Sequence, residues 1–252
     1  LISILERRAG TKPLPVAFWK ALRATLLVFR PESEPLQARP VLVPGNRADI
    51  PALKGLLNAS ETLGQWTMGE ETLNFLWKTL EDSQPATLIE FGAGLSTLLL
   101  ATYAARAAAA GREVTLVSIE QSHEEKGAIQ KRLQSCGLSS NFLVYPASGE
   151  GYAVVPEEIE RVLGGKKFDL VVIDGPSGPF GCRTNTLLAA QPFCRQGARW
   201  FLDDAYRGSE LSCLARWKQT PGITVEGIIP LGHGIATGTV SPVPAGKSSA
   251  QS

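Results

Sequence analysis

The sequence predicts an α/β protein with a doubly wound, mostly parallel sheet and a C-terminal antiparallel hairpin. Three observations predict it. Short apolar runs alternate with segments at helical spacing from residue 86 onward. The first run ends Ile89-Glu90-Phe91-Gly92-Ala93-Gly94 and passes into an alanine- and leucine-rich stretch, which reads as a buried strand, a tight turn and a helix N-terminus. Acids then close four of the five predicted parallel strands, at the edge where open α/β sheets hold their ligands.

Before the sheet, Val16 to Phe29 places Phe18, Leu22 and Leu26 at helical spacing, with Lys12, Lys20, Arg23 and Arg30 around it. Pro31, Pro35, Pro40, Pro44 and Pro51 punctuate a connector. Leu53 to Ser60 reads as a short helix and Gly64 to Gly69 as a loop. Glu70 to Leu80 is a predicted helix, with Thr67 as N-cap and Glu70 as its box partner.

The predicted order is then strand 86–90, helix 95–110, strand 114–119, helix 123–136, strand 141–145 and helix 156–163. Strand 168–173, helix 183–195, strand 198–202 and helix 209–219 follow. Ile223–Ile229 and Gly234–Val240 flank a turn near Pro230-Leu231-Gly232 and form the terminal hairpin, adding an antiparallel strand at one edge. Domain organisation is therefore an N-terminal helical or cap extension (1–80), the main domain (81–240) and a disordered tail (241–252).

The first turn has the form of a ligand site. Gly92 and Gly94 let the backbone turn sharply and a ligand approach, and the free N–H groups of the following helix point back at it. Glu90 occupies the place where a dinucleotide fingerprint needs glycine, so it disfavours a pyrophosphate and suits a cationic or amine-bearing ligand. Glu120-Gln121 closes the second strand, one βαβ unit later, where an acid suits the two hydroxyls of a ribose. His123 follows, either bordering a base or starting a helix.

Asp174, Asp203 and Asp204 converge if the fourth and fifth strands are neighbours. Short carboxylates suit a hard ion such as Mg²⁺, which would polarise a hydroxyl oxygen. The competing readings make Asp174 a general base or a cofactor-side acid and Asp203 or Asp204 a helix cap. His233, between Gly232 and Gly234, is a general-base candidate or a surface residue. Trp66, Arg183 and Tyr206 are the substrate-contact candidates.

The chain has 252 residues, 44% of them hydrophobic, enough for one sizeable domain with a real core. A net charge of +1 carries no strong electrostatic preference for nucleic acid or an anionic membrane, and no apolar run reaches membrane-spanning length. Cys136, Cys182, Cys194 and Cys213 make no Cys-x-x-Cys pair and suit a reducing, cytoplasmic setting. A homodimer is compatible with all of this.

These residues resemble one family: the class I S-adenosylmethionine-dependent methyltransferases. Over roughly residues 60 to 240, Glu90-Phe91-Gly92-Ala93-Gly94, followed by Ser96-Thr97, is similar to that family's acid-x-Gly-x-Gly loop, which runs beside the methionine portion of the cofactor. Glu120 matches the ribose-holding acid, Ala147-Ser148 the position against the adenine, and Asp174 the acid after the fourth strand. The resemblance implies a Rossmann-like sheet of seven strands, the last antiparallel. Ala147-Ser148, Asp174 and Asp203-Asp204 look like the catechol and caffeoyl-coenzyme-A type of O-methyltransferase, in which such acids hold a divalent metal. The lysine base of that group has no counterpart in Gly175-Pro176-Ser177-Gly178.

The expected function is methyl transfer from S-adenosylmethionine to an oxygen of a small molecule, with or without Mg²⁺. Rival readings are a metal-independent enzyme with a nitrogen or carboxylate acceptor, a non-catalytic cofactor-binding module and an NAD-dependent dehydrogenase. Glu90 speaks against the last.

Overall fold

The computed structural model describes residues 68–177 and 183–243. The expectations for Val16–Phe29, for the proline-rich connector, for Leu53–Ser60, for Trp66 and for Thr67 lie outside the described residues. So do those for Cys182 and most of the tail.

Nine strands and six α-helices follow one another among the described residues. Helix α1 (Glu70–Ser83) precedes β1 (Thr87–Phe91), α2 (Leu95–Ala109), β2 (Thr115–Glu120), α3 (His123–Ser135) and β3 (Asn141–Val144). A small hairpin, β4 (Ala147–Ser148) with β5 (Gly151–Tyr152), leads to α4 (Pro156–Leu163) and β6 (Phe168–Ile173). Then come α5 (Thr186–Ala190), β7 (Cys194–Leu202), α6 (Gly208–Trp217), β8 (Ile223–Ile229) and β9 (Ile235–Val240).

Seven strands form one sheet in the order β3-β2-β1-β6-β7-β9-β8. All neighbours from β3 to β7 pair parallel, and β9 pairs antiparallel to both β7 and β8. The terminal hairpin lies at one edge as expected, but its antiparallel strand is not the outermost one. Only β8 lies at the edge, and β9 is wedged between it and β7, with Leu202 opposite Ala236 on one side and Ile229 opposite Ile235 on the other. The burial of β9 explains the insertion: five of its six residues are buried, a pattern an edge strand does not need.

The central strands are mostly apolar on both faces, as parallel strands between two helical layers tend to be. Ile89, Phe91, Val117, Ile119, Val171, Ile173, Trp200 and Leu202 pack with Ile159 and Leu163 of α4, Leu187 of α5 and Leu214 and Trp217 of α6. Leu88, Leu116, Leu170, Val172 and Phe201 pack on the opposite face with Leu73, Leu76 and Leu80 of α1, several leucines of α2 and Leu133 of α3. Burying each of the fully enclosed Leu73 and Leu80 contributes about 1.5–3 kcal/mol.

Two helix boundaries differ from the expectation. The cap of α1 is Gly69, in extended conformation, with no side-chain bond. The helix expected over 183–195 shrinks to Thr186–Ala190 and one 3-10 turn, Gln191–Phe193. Pro192 has no N–H to extend an α-helix, and Cys194 already pairs with Phe168 as the start of β7.

Candidate active site

The strand order reverses between β1 and β6, so the loops after these two strands border the crevice of the sheet. Gly92 has φ +93°, a left-handed value that glycine adopts freely. Its N–H donates to the Ile119 carbonyl at 2.9 Å, while the Asp174 and Gly175 N–H groups both donate to the Phe91 carbonyl, at 2.8 and 2.7 Å. A Cβ on Gly92 would lie 2.7 Å from the Gly175 nitrogen, so the two loops meet backbone to backbone. Gly94 opens α2, its N–H donating to Thr97 Oγ1 at 2.9 Å.

Glu120 ties this turn to the next strand. Its Oε2 accepts from the Ala93 N–H at 2.9 Å, and its Oε1 accepts from the N–H groups of Gln121 and Ser122 at 2.6 and 3.1 Å. The carboxylate is 4% exposed and spans the gap between the ends of β1 and β2. His123 sits just beyond as the first, exposed residue of α3.

Glu90 lies elsewhere than the sequence suggests. It is fully buried beneath α2, accepting from Ser96 at 3.0 Å and Ser118 at 2.6 Å. Direct contact with an amine-bearing ligand is therefore closed to it, because both oxygens are turned into the protein and braced by hydroxyls. Burial pushes its carboxyl up to about 7; the Ser118 and Ser96 hydroxyls pull against that shift. Since the folded state holds the proton more tightly than the unfolded chain, the associated stability is complete below the ordinary 4.5 and is lost as pH climbs to about 7. Glu90→Gln is expected to remove this loss, raising stability at pH 8 by an amount on the order of 2–3 kcal/mol relative to wild type while leaving pH 4 nearly unchanged. Urea unfolding at the two pH values measures it, and parallel pH curves for the two proteins would refute it.

Beyond β6 and β7 the three aspartates do come together. One carboxylate oxygen from each of Asp174, Asp203 and Asp204 lies within 4.8 Å of the others, because β6 and β7 pair with Ile173 opposite Leu202. Asp204 holds φ +57°, which an Asp tolerates better than most residues. The aspartates share this place with a guanidinium. Arg183 reaches Asp174 Oδ1 at 3.5 Å, Asp204 Oδ2 at 3.8 Å and Glu210 Oε1 at 3.5 Å. It also donates to the main-chain oxygens of Asp174 and Asp203. The Arg183 side chain is only 5% exposed and acts as an internal counter-ion to these acids. Arg207 adds a second cation at 2.9 Å from Asp204 Oδ2.

Burial and the neighbouring Asp204 charge push Asp203 up to about 6. Burial also drives Asp174 well above the usual carboxylate range; Arg183 opposes this, while Asp203 and Asp204 add to it. The Arg183 and Arg207 guanidiniums already lie against the Asp174 and Asp204 carboxylates, where a divalent ion would have to compete with them.

His233 lies in the β8–β9 turn, 58% exposed, with Nδ1 at 3.1 Å from Asp204 Oδ1. Tyr206 lies alongside: its N–H donates to the His233 carbonyl at 3.2 Å, and its ring packs where a Cβ on Gly234 would stand. Ala147 and Ser148 form β4, with Ala147 opposite Tyr152. The sequence expectations missed Tyr152 and Glu210. Glu210 could have been found as an acid on the inner face of α6; the two-residue strand carrying Tyr152 leaves no periodic signal.

No family model matches the chain, and no curated protein matches it. Solved structures do. The cofactor-bound Rv0187 from MTB aligns at 23% identity and TM-score 0.55, over 77% of this chain and 92% of its own. The SAH-bound methyltransferase PaMTH1 from Podospora anserina aligns at 11% identity and TM-score 0.55, over 92% and 99%. The O-methyltransferase TomG from Streptomyces achromogenes, in complex with SAM, aligns at 15% and 0.50, over 91% and 100%. The fold is that of the class I S-adenosylmethionine-dependent methyltransferases.

Within this methyltransferase fold two buried polar atoms at the crevice have no hydrogen-bond partner among the described residues: Gln121 Oε1 and the Tyr152 hydroxyl. Orphaned polar atoms of this kind are uncommon in folded proteins and fit a site built for a polar ligand. No helix among the described residues is long and apolar enough to cross a membrane.

Proposed function

We propose that the chain transfers a methyl group from S-adenosylmethionine to an oxygen of a small molecule, without a metal. The observation that carries this reading is the Glu120 carboxylate, held between the ends of β1 and β2 by the Ala93 N–H of the glycine turn. In this reading Glu120 accepts from the ribose hydroxyls, Gln121 and the Ala147-Ser148 strand flank the adenine, and Gly92, Gly94 and Asp174 line the path of the amino-acid part. Ser96 acts indirectly, by holding Glu90 under the turn.

S-adenosylmethionine supplies an electrophilic methyl on a sulfonium sulfur. The protein's task is then alignment, exclusion of water and removal of one proton from the acceptor hydroxyl. His233 is suited to that last step: with Nδ1–H directed at Asp204, the exposed Nε2 is left as the accepting nitrogen. Asp204 fixes the tautomer, and Arg183 and Arg207 hold Asp204. A metal-assisted version has the three aspartates in its favour, yet Arg183 already supplies the charge an ion would bring.

The test is calorimetry with S-adenosylmethionine and S-adenosylhomocysteine, then a panel of phenols, catechols, amines and carboxylic acids assayed with and without EDTA. Micromolar binding and EDTA-insensitive O-methylation are expected. Absence of binding would remove the reading, and turnover that needs added Mg²⁺ would restore the metal.

A further inference from the structure

The Tyr152 hydroxyl is the feature that the site described so far leaves unused. Tyr152 is 7% exposed, and its hydroxyl has no partner among the described residues. Its ring rests against Phe91, with centroids 5.6 Å apart and planes at 40°, which directs the phenol to the ends of β1 and β6. There the hydroxyl is the nearest atom to the place a Cβ on Gly175 would take, and the next is Gly92 Cα at 2.7 Å. So the phenol ends at the junction of the two crevice loops. Burial, first of all, raises its pKa far above the usual tyrosine value, and Glu120, Asp174 and Glu90 act in the same direction against Arg183. The group is a permanent donor.

A buried donor with nothing to donate to costs the folded protein stability. Hydroxyl-free phenylalanine would fill the same space, so packing alone does not account for the tyrosine. The sheet order indicates which part of a ligand would reach it. With the adenine over the end of β3 and the ribose at Glu120 on β2, the remaining part runs over β1 towards β6. Tyr152 stands at that β1–β6 end.

Resting on the proposed S-adenosyl site, we infer that the Tyr152 hydroxyl donates a hydrogen bond to the carboxylate of the ligand's amino-acid half. Tyr152 is thereby a binding residue that discriminates S-adenosyl amino acids from simple thioether nucleosides.

Tyr152→Phe tests this with two ligands, S-adenosylhomocysteine and 5′-methylthioadenosine, the second lacking the amino acid and its carboxylate. Calorimetry is expected to show the variant losing about tenfold or more in affinity for the first, the scale of a hydrogen bond to a charged group, and less than twofold for the second. The ligand-free variant should melt at the same temperature as wild type or slightly higher, because an unsatisfied donor has been removed. Unchanged affinity for S-adenosylhomocysteine, an equal loss for both ligands, or a clearly lower melting temperature each overturns the inference. If wild type binds neither ligand, the proposed function itself fails, an outcome the wild-type titration separates from failure at Tyr152.

Discussion

Glu120→Ala is expected to weaken S-adenosylhomocysteine binding by about 10–150-fold, the cost of losing hydrogen bonds to a charged acceptor. The same change strips three backbone N–H groups, of Ala93, Gln121 and Ser122, of their acceptor. The turn after β1 should loosen, and stability should fall by about 1–3 kcal/mol. Two measurements separate these effects: calorimetry at a temperature where the variant is folded, and urea unfolding without ligand. Glu120→Gln keeps an acceptor for the turn and should recover most of the stability but only part of the affinity. Wild-type affinity in a folded Glu120→Ala protein would remove Glu120 from the ribose site.

The second large effect is expected at Arg183. Arg183→Met takes the guanidinium away from Asp174, Asp204 and Glu210, all within 4 Å of it. Removing one side of a buried ion cluster costs about 3–5 kcal/mol, a fall in Tm of roughly 6–20 °C at this size. The loss should be pH-dependent with a definite sign. Asp203 and Asp174 already favour the proton in the folded state, so the variant can relieve its uncompensated charge only by binding more of it. The gap to wild type should therefore be wide at pH 8 and narrow at pH 5. Mg²⁺ should raise the Tm of the variant, whose aspartates have lost their internal cation, and leave wild type unmoved. A rise in wild-type Tm with Mg²⁺ would contradict the reading of Arg183 as the resident charge.

The parallel part of the sheet is legible in the sequence because strands buried on both faces must be largely apolar: Leu88, Ile89 and Phe91, and Leu170 to Ile173, leave little choice of element. The crevice acids are legible for a related reason. Glu120, Asp174, Asp203 and Asp204 each interrupt a hydrophobic run at its end, where a carboxylate either meets water or meets a partner. What the sequence hides depends on tertiary neighbours. Arg183 reads only as a substrate-contact candidate, and its ion pairs with Asp174, Asp204 and Glu210 carry no signal in the sequence. Glu90 reads as a ligand contact until Ser118, 28 positions away, is found hydrogen-bonded to it. The β4–β5 hairpin is two residues on each side, too short for alternation to register. Helix α5 is overestimated because Leu187 to Ala190 has good helix formers up to Pro192, where chain chemistry overrides propensity.

The position of β9 governs how this protein is made. During synthesis β7 emerges well before residues 235–240, and until they arrive its outer flank offers unpaired amide and carbonyl groups along Ala198 to Leu202. The nascent chain thus carries an open, largely hydrophobic margin that any extended segment nearby can join. Deletions or frameshifts late in the coding sequence should accordingly yield aggregates rather than a smaller working domain.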